Sequence, residues 1–293
     1  MTAIGHAQRN ALIVVTGAST GIGAATVKKL ADNGFHVLAG VRRAADADAL
    51  QGLAIPNIEP CILDITVESD VTAVADRVAQ DPQRRPLRAL INNAGIAINA
   101  PVETLPLEQW RRQFDVNLFG HIAITQALLP ALLDSSGTIV NISSVGGKVV
   151  LPTYGAYAGS KFALEAVSDA LRREVSAAGV KVVVVEPGAV KTEITERGIS
   201  TSEGLKSDMT TAQLDRYGTV LNAVMAQARS FNETGVSAEA AAAVVAKAAT
   251  ASRPKTRYTV GRDAAILLRV NRFLTDRGLD RVMRLQLRQF AAA

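Results

Sequence analysis

The chain of 293 residues is poor in the residues from which disulfide-rich and metal-binding proteins are built. It has one cysteine, Cys61, and three scattered histidines, which we expect to be structural. A single cysteine excludes an internal disulfide framework, and the apolar neighbours of Cys61 favour a buried structural thiol over a nucleophile. Since the sequence shows no cluster of His, Cys or carboxylates either, we expect no metal site.

Long apolar runs and concentrated charge are also missing. No uninterrupted apolar run approaches the roughly 20 residues of a membrane-spanning helix. The first predicted strand begins by Ala11, which leaves no room for a signal peptide. The net charge is +5 and no basic patch with aromatic residues is present, so we expect no nucleic-acid partner. We therefore expect a cytoplasmic location. The 48% of apolar residues are enough to form a large hydrophobic core.

Short apolar runs alternate with helical segments along most of the chain. This alternation predicts an α/β fold, a Rossmann-type doubly wound parallel sheet of about seven strands with helices on both faces. Such sheets bind ligands at the carboxyl ends of their strands. The predicted strands are 11–16, 36–41, 58–63, 87–91, 137–143, 180–185 and 258–261, and the predicted helices include 24–33, 67–80, 154–178 and 237–249.

We predict a single domain over 1–293. Residues 11–192 would form its cofactor-binding and catalytic core, and the polar segment 193–235 suits a lid over the substrate. A C-terminal helical extension follows over 263–290, where an apolar face alternates with arginines. We favour packing of this extension on the body or on a second subunit; a basic amphipathic helix on a membrane surface is the alternative.

The turn between the first strand and the first helix is rich in glycine. Gly17 allows a tight turn, Gly21 lets the backbone approach a pyrophosphate, and Gly23 allows close packing of helix on sheet. The helix N-terminus would present N–H groups to phosphate. The turn therefore predicts a dinucleotide site, and a glycine-rich turn without function is the alternative. The predicted contacts are Gly17, Ser19, Thr20, Gly21, Ile22 and Gly23.

Two arginines follow the second strand, where an acidic residue would accept hydrogen bonds from the adenosine ribose of NAD(H). The first acid after Arg42 and Arg43 is Asp46. An arginine at this position accommodates a 2′-phosphate, so the sequence favours NADP(H) and makes NAD(H) the less favoured cofactor. A pair of arginines on a solvated loop is the alternative. After the third strand, Asp64 and the adjacent Ile65 are placed to contact the adenine.

Tyr157 and Lys161 are four residues apart on a predicted helix, so that both can face one cavity. A positive charge close to a phenol lowers its pKa and suits it to transfer a proton. Ser144 lies 13 residues before the tyrosine, at the end of a strand, where its hydroxyl could hold a carbonyl oxygen. Alone, this pair is more often a half-buried tyrosine beside a solvated lysine.

With these motifs in place, residues 11–192 resemble the short-chain dehydrogenase/reductase family. The resemblance implies that Lys161 holds the nicotinamide ribose and that Asn117 holds a water linking Lys161 to solvent. It also implies that Pro187, Gly188, Val190 and Thr192 bind the nicotinamide carboxamide. The implied catalytic residues are Asn117, Ser144, Tyr157 and Lys161. The further implied cofactor contacts are Asp64, Ile65, Asn92, Ala94, Val190 and Thr192, with Tyr157 and Lys161.

The C-terminal extension resembles that of retinol- and hydroxysteroid-dehydrogenase-like members, which handle apolar substrates. The resemblance implies an NADP(H)-dependent oxidoreductase that acts on a secondary alcohol or ketone, with Tyr157 passing the proton. We also expect a homo-oligomer. The alternative is a catalytically silent module that senses NADP(H) or serves as a scaffold, although such a module has no need to keep Ser144, Tyr157 and Lys161 together.

Overall fold

The computed structural model describes residues 10–291. The rest of the single domain predicted over 1–293 lies outside these residues. Seven strands are present in the described chain: β1 (Leu12–Val15), β2 (His36–Val41), β3 (Ile58–Ile62), β4 (Leu87–Asn92), β5 (Thr138–Ile142), β6 (Lys181–Pro187) and β7 (Arg257–Val260). They form one parallel sheet in the order β3-β2-β1-β4-β5-β6-β7, which confirms the predicted doubly wound architecture.

The strands are apolar because helices cover both faces of the sheet. Side chains alternate between the two faces of a strand, so a strand buried on both sides has a continuous apolar sequence. In β1, Ile13 and Val15 enter the core on one face, while Leu12 and Val14 enter the core on the other. All four of these side chains are fully buried.

Eleven α-helices surround the sheet within the described residues. Helices α1, α2 and α9 supply the core on one face, and α3, α5 and α6 supply the core on the other. The helices are α1 (Gly21–Asp32), α2 (Ala44–Gln51), α3 (Glu68–Ala79), α4 (Leu107–Phe114), α5 (Gly120–Ser135), α6 (Gly155–Val175), α7 (Glu193–Ser207), α8 (Thr211–Thr234), α9 (Ala238–Thr250), α10 (Arg262–Asn271) and α11 (Asp276–Ala291).

Helices α4 and α5 form one long helical segment, interrupted by a π-helical turn at Asp115–Phe119. By length and composition alone, Leu107–Ser135 would suit a membrane span. However, Ile124, Leu128 and Leu132 are buried in the core beneath the sheet. The apolar composition of α5 is therefore explained by its place as a core helix.

The segment predicted as a lid is helical in the structure. Helices α7 and α8 occupy nearly all of 193–235, and α8 begins with a capping box in which Thr210 and Gln213 satisfy each other's backbone N–H groups. The sequence also gives little sign of α2, in which Leu50 is the only buried residue. A helix with one buried side chain shows no helical periodicity of apolar residues.

The predicted C-terminal extension consists of α10 and α11. Met283 and Leu287 of α11 are buried, and Leu287 packs with Ala223 and Val224 of α8. One face of α11 is therefore attached to the body, as the favoured interpretation of this segment required. Other apolar residues of the extension remain exposed, and Phe273, with 88% of its surface accessible, is the most exposed of them.

Candidate active site

A cavity of about 960 Å³ opens at the carboxyl ends of the central strands. The chain crosses from β3 to β4 over the other strands, so that β1 and β4 are neighbours whose connections leave in opposite directions. Parallel sheets bind ligands in the crevice at such a switch point. Residues that follow β1, β4, β5 and β6 all border the cavity.

The glycine-rich turn forms one end of this cavity and is tied to the end of β4. Thr16 Oγ1 accepts hydrogen bonds from the backbone N–H groups of Asn93 and Ala94, each at 3.0 Å. The Asn93 amide donates to the carbonyls of Thr16 and Gly17. Gly17 has φ +66°, and a Cβ there would lie 2.7 Å from Ala94 Cα. Only glycine satisfies both conditions.

The predicted contacts in this turn divide into two groups. Gly23 does not border the cavity. It faces the protein interior, since an added Cβ would overlap the Gly17 carbonyl oxygen. Its role is the close packing that the sequence predicted for it. The predicted turn residues that border the cavity are Gly17, Ser19, Thr20, Gly21 and Ile22.

The structure corrects the position of Asn92. This residue is fully buried inside the sheet, where its amide donates to Thr125 Oγ1 and Asn141 Oδ1. Since Asn92 does not border the cavity, its position allows no direct contact with a ligand there; its neighbours Asn93 and Ala94 do border it. Asn92 instead links β4 to β5, the sheet-stabilising part of the motif.

The end of β2 carries one arginine into the cavity and turns the other away. Arg42 borders the cavity, together with Asp64 and Ile65 beyond β3. Arg43 instead forms two hydrogen bonds to the carboxylate of Asp46. Asp46, the first acid after the two arginines, is therefore close to them, but its charge is already paired with Arg43.

Ser144, Tyr157 and Lys161 lie on one wall of the cavity, as predicted. Ser144 lies two residues after the end of β5, where its Oγ accepts a hydrogen bond from the backbone N–H of Gly146 at 3.0 Å. Tyr157 and Lys161 lie in the first two turns of α6. The Lys161 ammonium lies 6.0 Å from the centre of the Tyr157 ring and donates to the Ile142 carbonyl at 2.8 Å.

The protonation of this pair differs from the sequence expectation. Burial raises the pKa of the Tyr157 phenol, and the facing Ser144 hydroxyl offsets only part of that rise. Burial also lowers the pKa of Lys161 to about 8. The prediction that Lys161 depresses the tyrosine pKa is therefore not met: burial raises this pKa, and the Ser144 hydroxyl is the group that acts to lower it. At neutral pH the phenol keeps its proton and the lysine keeps most of its charge.

Asn117 lies outside the cavity, in the π-helical turn before α5. Its Oδ1 accepts from the Ile96 N–H, while its Nδ2 donates to the Ile96 carbonyl and to Ser160 Oγ. Ser160 is next to Lys161 and donates to the Tyr157 carbonyl. The Asn117 side chain thus joins the loop after β4 to the helix that carries the tyrosine and the lysine.

The segment after β6 closes the cavity from the other side. Val190 and Thr192 both border it, as predicted. Val190 is held by a short parallel bridge to Val236, and the Thr192 N–H donates to Asn232 Oδ1. Thr192 also lies against Gly21 of the glycine turn, where an added Cβ would be 3.1 Å from its methyl group.

A further wall of the cavity is built by a mostly separate set of elements, α8, α10 and α11. The sequence predicted a lid and a C-terminal extension in these segments, but none of the residues that line the cavity. This wall is mostly apolar. The spacing of its α8 residues, at positions 221, 224, 228 and 231, is that of an amphipathic helix and was the available signal. Its apolar side chains are Leu221, Val224, Met225, Ala228, Phe231, Ile266, Leu267, Val270, Val282 and Met283.

Two further observations concern histidine and metal chemistry. His121 is completely buried and its Nε2 lies 2.7 Å from the Ala94 carbonyl oxygen. Burial lowers the pKa of His121 to about 3, so this ring is neutral and supports the loop. Among residues 10–291, no three His, Cys, Asp or Glu side chains come together as metal ligands.

Comparisons with known proteins agree with this architecture. The family model of the short chain dehydrogenase matches residues 11–203. The 3-amino-tetrahydro-pyrrolizinone reductase of Xenorhabdus hominickii is 34% identical over 277 residues, which cover 94% of this chain and 95% of the relative. The NADPH-dependent 3-dehydrocapnine reductase of Ornithobacterium rhinotracheale is 32% identical, with 92% and 94% covered.

A mammalian relative and a solved structure extend the comparison. Retinol dehydrogenase 5 of Mus musculus is 35% identical over 285 residues, which cover 94% of this chain and 88% of the relative. The crystal structure of a short-chain dehydrogenase from Streptomyces avermitilis is 27% identical, with a TM-score of 0.74 and 96% of both chains covered. The similarity thus includes the C-terminal helices as well as the sheet.

Proposed function

The chain belongs to the short-chain dehydrogenase/reductase family of oxidoreductases, and from this premise we propose that it transfers a hydride between NADP(H) and an apolar ketone or secondary alcohol. One observation carries the proposal. The wall that holds Ser144, Tyr157 and Lys161 borders the same cavity as the glycine turn and the apolar wall of α8, α10 and α11. A dinucleotide and an apolar substrate could therefore meet beside the phenol.

The cavity fits a dinucleotide at its glycine end. The backbone at Gly17 approaches Ala94 so closely that a side chain would not fit, and α1 begins at Gly21 with its N–H groups at the cavity. A helix N-terminus of this kind favours phosphate. Arg42 would hold a 2′-phosphate, and Val190 and Thr192 would hold the nicotinamide end. When bound, the cofactor would supply or accept the hydride.

Tyr157, Ser144 and Lys161 would together supply the proton that the substrate oxygen gains during reduction. Burial keeps the Tyr157 phenol protonated, so in the direction of reduction it can donate to the carbonyl oxygen of the substrate. The Ser144 hydroxyl would donate a hydrogen bond to the same oxygen as its negative charge develops. The Lys161 ammonium, 6.0 Å from the ring centre, would stabilise the phenolate that remains.

The preference for NADP(H) rests on the arrangement at the end of β2. Asp46 is engaged by Arg43 and offers no unpaired carboxylate to a ribose, whereas Arg42 borders the cavity and has no ion-pair partner among the described residues. The 3-dehydrocapnine reductase relative is named for its dependence on NADPH, which supports this choice.

An apolar substrate is supported by the side chains that α8, α10 and α11 place around the cavity. One relative, matched over 88% of its own length, is a retinol dehydrogenase. We also propose a cytoplasmic homo-oligomer. Phe119, the last residue of the π-helical turn before α5, is 56% exposed, and Phe162 on α6 is 42% exposed. A second copy of the chain could cover both rings. Sedimentation of the protein before and after Phe119→Glu and Phe162→Glu would test the oligomer.

An activity screen tests the proposed function directly. Oxidation of NADPH and of NADH would be followed with a panel of lipophilic ketones, with Tyr157→Phe as the inactive control. Turnover by the wild type with NADPH, lost in the control, would support the proposal. Tight NADPH binding without turnover of any ketone or alcohol would favour the silent sensor or scaffold instead.

A further inference from the structure

A cluster of charged side chains lies next to the catalytic wall but does not border the cavity. Its centre is Glu165 on α6, which is 4% exposed. Lys148 Nζ lies 2.9 Å from Glu165 Oε2, and Arg257 of β7 donates to the same oxygen from Nε at 3.1 Å and from Nη2 at 2.9 Å. Since none of these three residues borders the cavity, the cluster is not part of the ligand site described above.

The charged groups that face Glu165 come from four parts of the chain. Besides Lys148 in the loop after β5 and Arg257 in β7, they are Glu186 of β6 and Asp169 of α6. Arg257 lies 3.1 Å from Asp169 Oδ2 and 3.5 Å from Glu186 Oε1. Burial raises the pKa of the Glu186 carboxyl, and the neighbouring Glu165 charge adds to that rise. Three carboxylates therefore share two cations, so the negative charge of Glu165 is not fully cancelled within the cluster.

Glu165 follows Lys161 by one turn of α6, so the two residues lie on the same side of this helix. Both are packed against Gly147 in the loop after β5. A Cβ added at Gly147 would lie 3.2 Å from Glu165 Cγ and 3.2 Å from the Lys161 carbonyl oxygen. The carboxylate is therefore held close to the lysine by the fold and not by the helix alone.

The other groups around the Lys161 ammonium carry no negative charge at neutral pH. Its hydrogen-bond acceptor is the Ile142 carbonyl oxygen. The titratable side chains that face it from α5 and α6 are His121, whose pKa is lowered to about 3, and Tyr157, whose pKa is raised. Burial lowers the pKa of Lys161, and Glu165 is the group that opposes this effect.

We propose that Glu165 is a positioning residue of the reaction, which keeps Lys161 in its charged form from the next turn of α6 without contact to substrate or cofactor. This inference rests on the proposed function. A buried ammonium readily loses its proton unless an anion is near. With Glu165 beside it, Lys161 stays charged and can stabilise the phenolate that Tyr157 forms during reduction. The ion pair to Lys148 also attaches the loop that follows Ser144 to the same carboxylate.

The ionisation of Lys161 can be measured in the full chain without substrate or cofactor. Lysine is labelled with ¹³C at Cε, and the NMR signal that is lost in Lys161→Arg identifies Lys161. Glu165→Gln keeps the shape of the side chain and removes its charge. In this variant we expect Lys161 to titrate about one pH unit below its wild-type value, the low end of the effect of a close opposite charge. A titration at the wild-type pH would overturn the proposal.

Glu59→Gln is the matched control. Glu59 also accepts two hydrogen bonds from an arginine, Arg77, and one from the His36 ring, but it lies on β3, away from the cavity. This variant should leave the titration of Lys161 unchanged. An equal shift in Glu59→Gln would mean that a general loss of stability moves the titration, and would overturn the proposal.

A second variant serves if Glu165→Gln does not fold. Lys148 is 33% exposed, so Lys148→Met is the milder change. It removes a cation beside Glu165, so that more of the carboxylate's field acts on Lys161. The titration should then move to higher pH, and an unchanged or lower value would overturn the proposal.

Kinetics connects this charge to the reaction. We expect the decline of kcat/KM for ketone reduction with rising pH to begin about one unit earlier in Glu165→Gln than in the wild type, following the shifted Lys161 titration. An unshifted profile beside a shifted titration would overturn the positioning role. If the titration shifts but the wild type reduces no ketone, the proposed reaction is wrong and the control of the Lys161 charge by Glu165 stands.

Discussion

Arg43 holds Asp46 in a doubly hydrogen-bonded ion pair, with 2.6 Å between Arg43 Nη2 and Asp46 Oδ1 and 2.8 Å between Nε and Oδ2. The pair lowers the pKa of the Asp46 carboxyl, chiefly through the Arg43 hydrogen bonds. Because Asp46 is paired with Arg43, it is not free to accept a hydrogen bond from a ribose hydroxyl at the end of β2. Arg42, the next residue, is left facing the cavity.

Replacing Arg42 should therefore weaken binding of NADPH but not of NADH. In Arg42→Ala, we expect the Kd for NADPH to rise about 10- to 100-fold, because a charge-assisted bond to phosphate contributes about 1.5–3 kcal/mol. Arg111→Ala, at an exposed position of α4, is the control and should change neither constant. Titration of both cofactors at one salt concentration gives the four values. An equal loss for NADH would contradict the assignment of Arg42 to the 2′-phosphate.

Removing the phenolic hydroxyl should abolish most of the turnover. In Tyr157→Phe, kcat should fall at least about 100-fold, since the ring remains and the transferable proton is gone. The Kd for NADPH should change little. Tyr154→Phe is the matched control: its ring packs edge-on against Tyr157 at 5.9 Å between centroids, and this variant should stay active. Retention of more than about a tenth of the activity by Tyr157→Phe would exclude the proposed role.

The rate of carbonyl reduction should depend on the charge of Lys161. Since burial lowers the pKa of this ammonium to about 8, it is charged below that pH and neutral above it, whereas the raised pKa of Tyr157 keeps the phenol protonated throughout this range. We therefore expect kcat/KM for reduction to fall as the pH rises through about 8. In Lys161→Arg the charge persists to higher pH, and any remaining activity should lose this decline. A rate that rises between pH 7 and 9 would contradict the prediction.

Asp81 should be important for stability at the end of α3. Its side chain and that of Arg85 are 2% and 7% exposed, and Arg77 bonds to the same carboxylate. Loss of one partner leaves buried charge unpaired, so Asp81→Asn should lower the free energy of unfolding by about 3 kcal/mol in denaturant titrations. Asp208→Asn, at an exposed helix end, is the control and should cost little.

The Asp81 carboxyl should also make the free energy of unfolding depend on pH. The Arg85 and Arg77 guanidiniums hold the pKa of Asp81 well below its usual range. Its stabilising contribution is therefore complete above the ordinary carboxyl pKa of about 4 and is lost as the pH falls further. Asp81→Asn should flatten this part of the stability curve. Identical acid dependence in variant and wild type would show that other carboxyls control it.

The C-terminal helices should behave as part of the folded body. Leu287→Ala should destabilise the protein by about 2–4 kcal/mol, since the residue is buried against α8, whereas Leu285→Ala, 61% exposed, should cost little.

With anionic lipid vesicles, we expect little co-sedimentation of the full chain. Strong binding that high salt reverses, and that Phe273→Glu removes, would instead support the membrane-surface alternative.

Much of the fold and of one wall of the site could be predicted from the sequence because the information there is local. A strand buried on both faces has a continuous apolar sequence, such as Leu12–Val15. A glycine between a strand and a helix likewise indicates a turn. Tyr157 and Lys161 share a face because four residues make about one helical turn. These properties depend on neighbours in the chain, which the sequence displays.

The tertiary structure alone decided the properties that depend on distant residues. Asn92 and Asn93 are adjacent and identical in type, but one pairs β4 with β5 and the other reaches the cavity loop. The pKa of Tyr157 is raised by burial, although a lysine lies one helical turn away. Leu287 of α11 is buried against Ala223 and Val224 of α8, more than 60 residues earlier in the chain. Burial and hydrogen-bond pairing are sums over neighbours in space, and a linear pattern does not contain them.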